Sequence, residues 1–142
     1  MGHNIYFDLY INASKQQVFD AFCLPEHLNS WWTLKSSGQP ELGATYNLNF
    51  TDTYNWFAKV SDIKPNEHFY LKMVNSDNDW MSTTFGITLE EDNNRTLVKF
   101  SHINWLENNH HYRFSAFCWS QLLQGLKNYI EKDIIIPFEK RN

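Results

Sequence analysis

The segment Trp119-Ser120-Gln121-Leu122-Leu123-Gln124-Gly125-Leu126-Lys127-Asn128-Tyr129-Ile130-Glu131 decides the fold. Trp119, Leu122, Leu123, Leu126 and Ile130 fall at i, i+3, i+4, i+7 and i+11, which is one apolar stripe of an α-helix. Continued toward the N-terminus, the pattern predicts a helix from about Asn109 to Lys132. Phe114, Phe117 and Cys118 widen its stripe, so much of the helix is expected to be buried. Gly125 costs about 1 kcal/mol relative to alanine in such a position. It reads as relief of crowding against whatever the helix packs on, with room for a ligand as the alternative.

What the helix packs on lies upstream. Ile5, Phe7, Leu9 and Ile11 alternate with Tyr6, Asp8 and Tyr10, the period-two pattern of a strand. Ser14 followed by Gln17 forms a capping box, so a helix starts there and buries Val18, Phe19 and Phe22. Pro25 and Glu26 suit the first turn of a second short helix, to about Trp31. Alternating strands follow: Tyr46-Leu48-Phe50, Trp56-Ala58-Val60, Phe69-Leu71-Met73, Met81-Thr83-Phe85-Ile87-Leu89 and Val98-Phe100-His102. After Val60 the pattern slips by one to Ile63, which predicts a β-bulge near Ser61-Asp62. The intervening stretches, Thr51 to Thr53, Lys64 to Glu67, Asn75 to Asp79 and Glu91 to Asn94, are short and polar. Five strands joined in this way form an antiparallel meander. Lys59, Lys72 and Lys99 fall on its outer face with Asn47, Asn49, Ser61, Thr84 and Ser101.

The 142 residues suit one domain, residues 1–142, with one sizeable core. Aromatic residues make up 17%, a surplus that implies a bulky core or a lined cavity. A formal net charge of −4 with scattered Lys and Arg argues against nucleic acid and against an anionic membrane surface. No apolar run approaches the roughly 20 residues of a membrane span. No signal peptide is visible, and Tyr6 stands where the myristoylation pattern begun by Met1-Gly2 needs Ser or Thr. The expected location is cytoplasmic. Cys23 and Cys118 have no CxxC neighbour and read as buried reduced thiols.

Taken in order, these segments resemble the family named after the heat-shock protein 90 ATPase activator, within the START-like or SRPBCC superfamily. The resemblance rests on Ile11-Asn12-Ala13, Val18-Phe19-Asp20-Ala21, Pro25-Glu26 and Trp31-Trp32 at the start. It continues through Glu41-Leu42-Gly43, Val60, Ile63 and Pro65, Thr84-Phe85-Gly86-Ile87, Thr96 to His102, and Trp119 to Glu131. It implies an α+β helix-grip fold: a curved antiparallel β-sheet wrapped around a long C-terminal helix, two short N-terminal helices, and an internal apolar cavity. Where the family often has Gly before the last helix, this chain has Leu106-Glu107-Asn108-Asn109. The chaperone activator carries a further N-terminal domain, whereas this chain begins at its first strand. Chaperone activation is therefore not expected from the family name, and fold alone does not settle function.

The inward faces nominate a ligand-binding set. From the first half of the chain come Trp32, Tyr46, Trp56, Phe69 and Met73. From the second come Met81, Thr83, Phe85, Phe100, His102, Cys118 and Leu122. One of the pair Trp31-Trp32 plugs the core and the other is free to gate the cavity. His102, the one polar side chain on its strand face, reads as a buried neutral imidazole bonded to a main-chain carbonyl near the pocket mouth. His27 and His68 read as surface residues and Asp8 as solvated. Adjacent His110 and His111 point about 100° apart on a helix, with no Cys, Asp or Glu at i+4, so no metal site is expected. No paired carboxylates, catalytic triad, phosphate loop or dinucleotide fingerprint appears, and no cofactor or catalytic residue is nominated. The expected function is binding of a small apolar or amphipathic molecule. The alternatives are a polyketide cyclase or dehydratase using the same cavity around His102, with Tyr46 or Thr83, and a chaperone-interaction module.

Overall fold

The computed structural model describes residues 2–141; Met1, where the rejected myristoylation reading begins, lies outside them. The chain opens with β1 (His3–Ile11), followed by α1 (Lys15–Cys23) and α2 (Pro25–Trp31). Ser14 caps α1 as its sequence requires: its side chain accepts from the Gln17 amide, while the Gln17 side chain accepts from the Ser14 amide. Pro25 occupies the first turn of α2, where its missing N–H costs nothing.

Six further strands follow: β2 (Lys35–Ser37), β3 (Thr45–Asn49), β4 (Asn55–Lys64), β5 (His68–Asn75), β6 (Thr84–Asp92) and β7 (Arg95–Trp105). They form one antiparallel sheet with β1, in the order β1-β7-β6-β5-β4-β3-β2. Asn93 and Asn94 both have positive φ (52° and 67°), which closes the tight β6–β7 hairpin with the twist that such turns require. The register of β4 on β5 shifts between Val60 and Asp62, the bulge implied by the slipped alternation, and again between Phe57 and Ala58, which the sequence did not signal. Phe69, Leu71, Phe85, Val98 and Phe100 are buried, Trp56 is half-buried, and Lys59, Lys72 and Lys99 are exposed, so the faces fall as period two dictates.

The last helix, α3 (His110–Lys132), is capped by the Asn109 side chain, which accepts from the Tyr112 amide. Its Trp119 ring meets Phe100 on β7 (centroids 4.5 Å) and Phe85 on β6 (5.7 Å) across the concave side of the sheet. Trp119, Leu122, Leu123 and Leu126 are buried and Ile130 is half-buried, as the stripe predicts. Sheet and helix together make the expected α+β helix-grip fold, but the helix stripe is narrower than expected, since Phe114 and Phe117 are half or more exposed. Gly125 does not relieve crowding either: a Cβ there would meet nothing within 4 Å.

Two further departures concern the sheet. The short edge strand β2 was not legible, because Lys35-Ser36-Ser37 carries no apolar alternation. Met81 and Thr83 do not belong to β6, which starts at Thr84. Residues 80–83 form a turn closed by the Thr83 amide on the Trp80 carbonyl (2.9 Å), and Met81 points outward while Trp80 takes the buried position.

Candidate functional site

The space between sheet and α3 is packed with aromatic rings instead of forming an enclosed cavity. Trp31 and Trp32 stack at 6.0 Å, and both are buried, so neither is a free gate. Trp31 donates its indole N–H to the Ala21 carbonyl (2.8 Å). Trp32 lies against Trp119 (5.0 Å) and Phe85 (5.4 Å). Tyr46 packs edge-on to Phe69 (5.6 Å) and donates its hydroxyl to the Cys23 carbonyl (2.5 Å). Phe69, Met73, Phe85 and Phe100 are each 2% exposed or less and serve as core.

His102 sits at the centre of this packing with no exposure. The indole Nε1–H of Trp119 donates to its Nδ1 (3.0 Å), which places the imidazole proton on Nε2. That N–H faces Thr83 Oγ1 (2.9 Å), and the Thr83 hydroxyl donates to the Trp80 carbonyl (2.7 Å). The imidazole is thus neutral, as expected, but its partners are side chains and it lies behind the site wall, away from any mouth. Burial, with a smaller contribution from the charge of His111, pushes its pKa down to about 3.

An open cleft of about 680 Å³ lies along the N-terminal half of α3. This volume falls in the range of small-molecule sites. Trp56 comes from β4, Trp32 from the end of α2, Trp80 from the turn before β6, and Phe50, Thr51 and Tyr54 from the β3–β4 connection. The helix contributes His111, Phe114, Ser115, Cys118, Trp119 and Leu122. The third wall comes from the chain after α3. Asp133 takes a left-handed conformation (φ 56°) that turns the chain back, and Phe138, Glu139 and Arg141 border the cleft.

Polar groups mark both ends of this space. The loop after β5 is tied to the first turn of α3: His111 Nδ1 lies 3.0 Å from Asp79 Oδ2 and its Nε2 3.9 Å from Asp77 Oδ2. Asn109 also donates to Asp79 (3.3 Å). Asp77 Oδ1 and Trp80 Nε1 are buried without partners. Burial raises the Cys118 pKa, so its thiol, half-buried in the cleft, is not an activated nucleophile. Cys23 is buried and pushed up to about 12. Among the described residues, no group of three or more His, Cys, Asp or Glu is placed to hold a metal ion. None of the described helices is long and apolar enough to cross a membrane.

Of the twelve nominated residues, Trp32, Trp56, Cys118 and Leu122 border the cleft. Tyr46, Phe69, Met73, Thr83, Phe85, Phe100 and His102 lie behind it in the core, and Met81 is exposed on a turn. Sequence reading missed Phe50, Tyr54, Trp80, Phe138 and Arg141, most of which sit in connections where no periodicity reports burial. His27, read as a surface residue, is half-buried, with Nδ1 2.6 Å from the Tyr129 hydroxyl. Asp8 is exposed, and His68 is half-buried beside Asp62.

A curved antiparallel sheet gripping a C-terminal helix, with an aromatic cleft beside that helix, defines a START-like helix-grip domain. The chain belongs to the family of activator of Hsp90 ATPase homolog 1-like proteins, whose model matches residues 12–131. No curated protein matches it in sequence. Among solved structures, it is similar to the Aha1 dimer from Colwellia psychrerythraea: 29% identity over 92% of this chain and 97% of that one, TM-score 0.83. A Staphylococcus saprophyticus protein shares 20% identity over 95% of this chain and 96% of its own, TM-score 0.78. CalU16 from Micromonospora echinospora shares 16% over 93% and 78%, TM-score 0.74. The likeness to these last two is one of fold.

Proposed function

We propose that this chain is a binding domain for a small amphipathic molecule, held in the cleft between α3, the β3–β4 connection and the C-terminal tail. The observation that carries the proposal is the cleft itself: about 680 Å³, walled by aromatic rings and bordered by few polar groups. Trp32, Trp56, Cys118 and Leu122, with Phe50, Tyr54 and Trp80, supply the apolar contact. The packed core supports binding over catalysis, because His102, Thr83 and Tyr46 are occupied with one another or with backbone and do not border the cleft. The outer face of the sheet is polar and solvated, with Lys59, Lys72 and Lys99 exposed there, which favours the chaperone reading less.

The test is fluorescence titration with a neutral aromatic probe such as N-phenyl-1-naphthylamine, on the parent and on Cys118→Trp. The parent is expected to bind in the micromolar range, and the added indole to occupy the cleft and weaken binding at least about tenfold. Absence of binding by the parent, or equal binding by Cys118→Trp, would overturn the proposal. Native mass spectrometry of protein purified from its own host would then identify the retained molecule.

A further inference from the structure

A second cavity, of about 210 Å³, lies against the cleft. Trp31, Leu122, Gly125, Ile134 and Ile136 line it, together with the cations Lys140 and Arg141 and no carboxylate. Arg141 and Leu122 border both spaces. Arg141 therefore stands between the two spaces, and is only 9% exposed.

Its partners are incomplete. Nε donates to the Ile136 carbonyl (2.7 Å) and Nη1 to the Thr33 carbonyl (3.1 Å). The first bond closes the tail on itself and the second ties it to the segment after α2; neither neutralises the charge. Among the described residues no carboxylate lies within ion-pair distance of Arg141. Glu139 is exposed on the rim, and Asp77 faces His111. Nη2 makes no hydrogen bond among the described residues. It is not enclosed either, since the buried polar atoms lacking partners are Asp77 Oδ1, Trp80 Nε1 and Trp105 Nε1. Nη2 thus keeps some exposure, on a residue that borders both spaces.

A guanidinium largely withdrawn from water without an ion pair is costly, and such groups are normally paired; Glu139 acts on this one only through space. Its remaining N–H groups present a planar fork, which fits a carboxylate with two parallel bonds. We propose that Arg141 is the headgroup anchor of the cleft, and that the ligand is an amphipathic carboxylate whose apolar body lies on the Trp32, Trp56 and Trp80 rings. This deepens the cleft-binding reading and rests on it. A doubly charged phosphate fits less well, because the repulsion from Glu139 and Asp77, which border the same cleft, grows with the charge of the head. The anchor lies beyond residues 12–131, the part matched by the family model.

Two probes that differ only at the head separate this inference from the reading beneath it: 1-naphthylacetate and its neutral amide, 1-naphthylacetamide. They are titrated by calorimetry against the parent, Arg141→Gln and Arg141→Lys, with thermal melts to show that each variant is folded. The parent is expected to prefer the carboxylate by about tenfold or more, the range of a charge-assisted hydrogen-bonded pair. In Arg141→Gln the two probes bind within about twofold of each other; Arg141→Lys keeps part of the preference. If the parent binds both probes equally, or Arg141→Gln keeps its preference, the headgroup assignment is wrong and cleft binding stands. A tighter fit of 1-naphthyl phosphate than of the carboxylate overturns the carboxylate assignment alone. If neither naphthyl probe nor the neutral amine binds, the cleft reading falls and this inference falls with it.

Discussion

His102 makes the stability of this protein depend on acid in a way that one substitution isolates. In the unfolded chain its imidazole takes up a proton near pH 6.5, and in the folded protein only near 3. Between those values the unfolded chain binds more protons than the folded one. Stability from this residue is therefore complete above about pH 6.5 and declines as pH falls toward 3, by about 1.4 kcal/mol per pH unit. Between pH 7 and pH 5 the loss is on the order of 2 kcal/mol, a sizeable part of a typical domain's 5–15 kcal/mol. The physical cause is that a charged imidazole would sit among Trp80 (ring centroids 4.4 Å), Trp105 (4.7 Å) and Phe85 (5.6 Å), away from water. Protonation would also take the acceptor lone pair of Nδ1 from the Trp119 N–H.

The perturbation is His102→Gln, which keeps a polar amide but does not titrate. At pH 7 the variant is expected to lose roughly 1–3 kcal/mol through imperfect satisfaction of Trp119 and Thr83. From pH 7 to pH 5, however, it should lose about 2 kcal/mol less than the parent. Urea unfolding followed by tryptophan fluorescence at both pH values measures the four free energies, and equal m values show that the unfolded states match. The other five histidines and the carboxylates are common to both proteins and cancel in the double difference. Equal pH losses in parent and variant would refute the reasoning, since His102 would then have to titrate alike in both states.

Three further outcomes follow from local geometry. Gly86→Ala places a Cβ 2.1 Å from the Phe69 carbonyl and 2.6 Å from the Tyr70 ring, so chemical denaturation should show a loss of about 3 kcal/mol or more. Gly125→Ala, where nothing lies within 4 Å, should instead stabilise α3 by about 0.5–1 kcal/mol, read as a raised Tm; a lowered Tm would show hidden crowding. A thiol reagent such as dithionitrobenzoate should titrate one cysteine in the native protein, Cys118, and two after denaturation, because Cys23 is 1% exposed; two equivalents in the native state would contradict its burial.

What could be read from sequence follows the range of the forces involved. The helix stripe, the capping box at Ser14, the alternation on each strand and the bulge after Val60 are each set within a few residues. The structure has them where the pattern puts them, except at the margins of the stripe (Phe114, Phe117) and before β6 (Met81, Thr83). The cleft is different in kind. Its walls draw on Tyr54 between two strands, Trp80 in a turn and Phe138 in a tail, none of which lies in a periodic element. The same limit explains Met81. Alternation from Phe85 back through Thr83 reaches it by coincidence, whereas the chain turns at residues 80–83 and buries the larger neighbour, Trp80.

Periodicity assigns a face but does not measure the volume behind it. Tyr46, Phe69, Met73, Phe85, Phe100 and His102 all point inward as alternation says, yet they fill the interior instead of lining a hollow. Trp80 decides the difference. Its ring meets His102 and Trp105 on the core side and Trp56 (4.8 Å) at the cleft, so one loop residue closes the interior and walls the site. The aromatic surplus thus serves both purposes that composition left open, a bulky core and a lined cavity. Because the cleft wall is continuous with a close-packed core, the sheet side of the site is rigid. The wall opposite is the tail, whose exposed Ile134 and Ile135 lead to Phe138 and Arg141. The bonds of Arg141 to the Ile136 and Thr33 carbonyls already hold this segment, so a ligand that engaged the guanidinium would meet a formed wall and lose little affinity to ordering it.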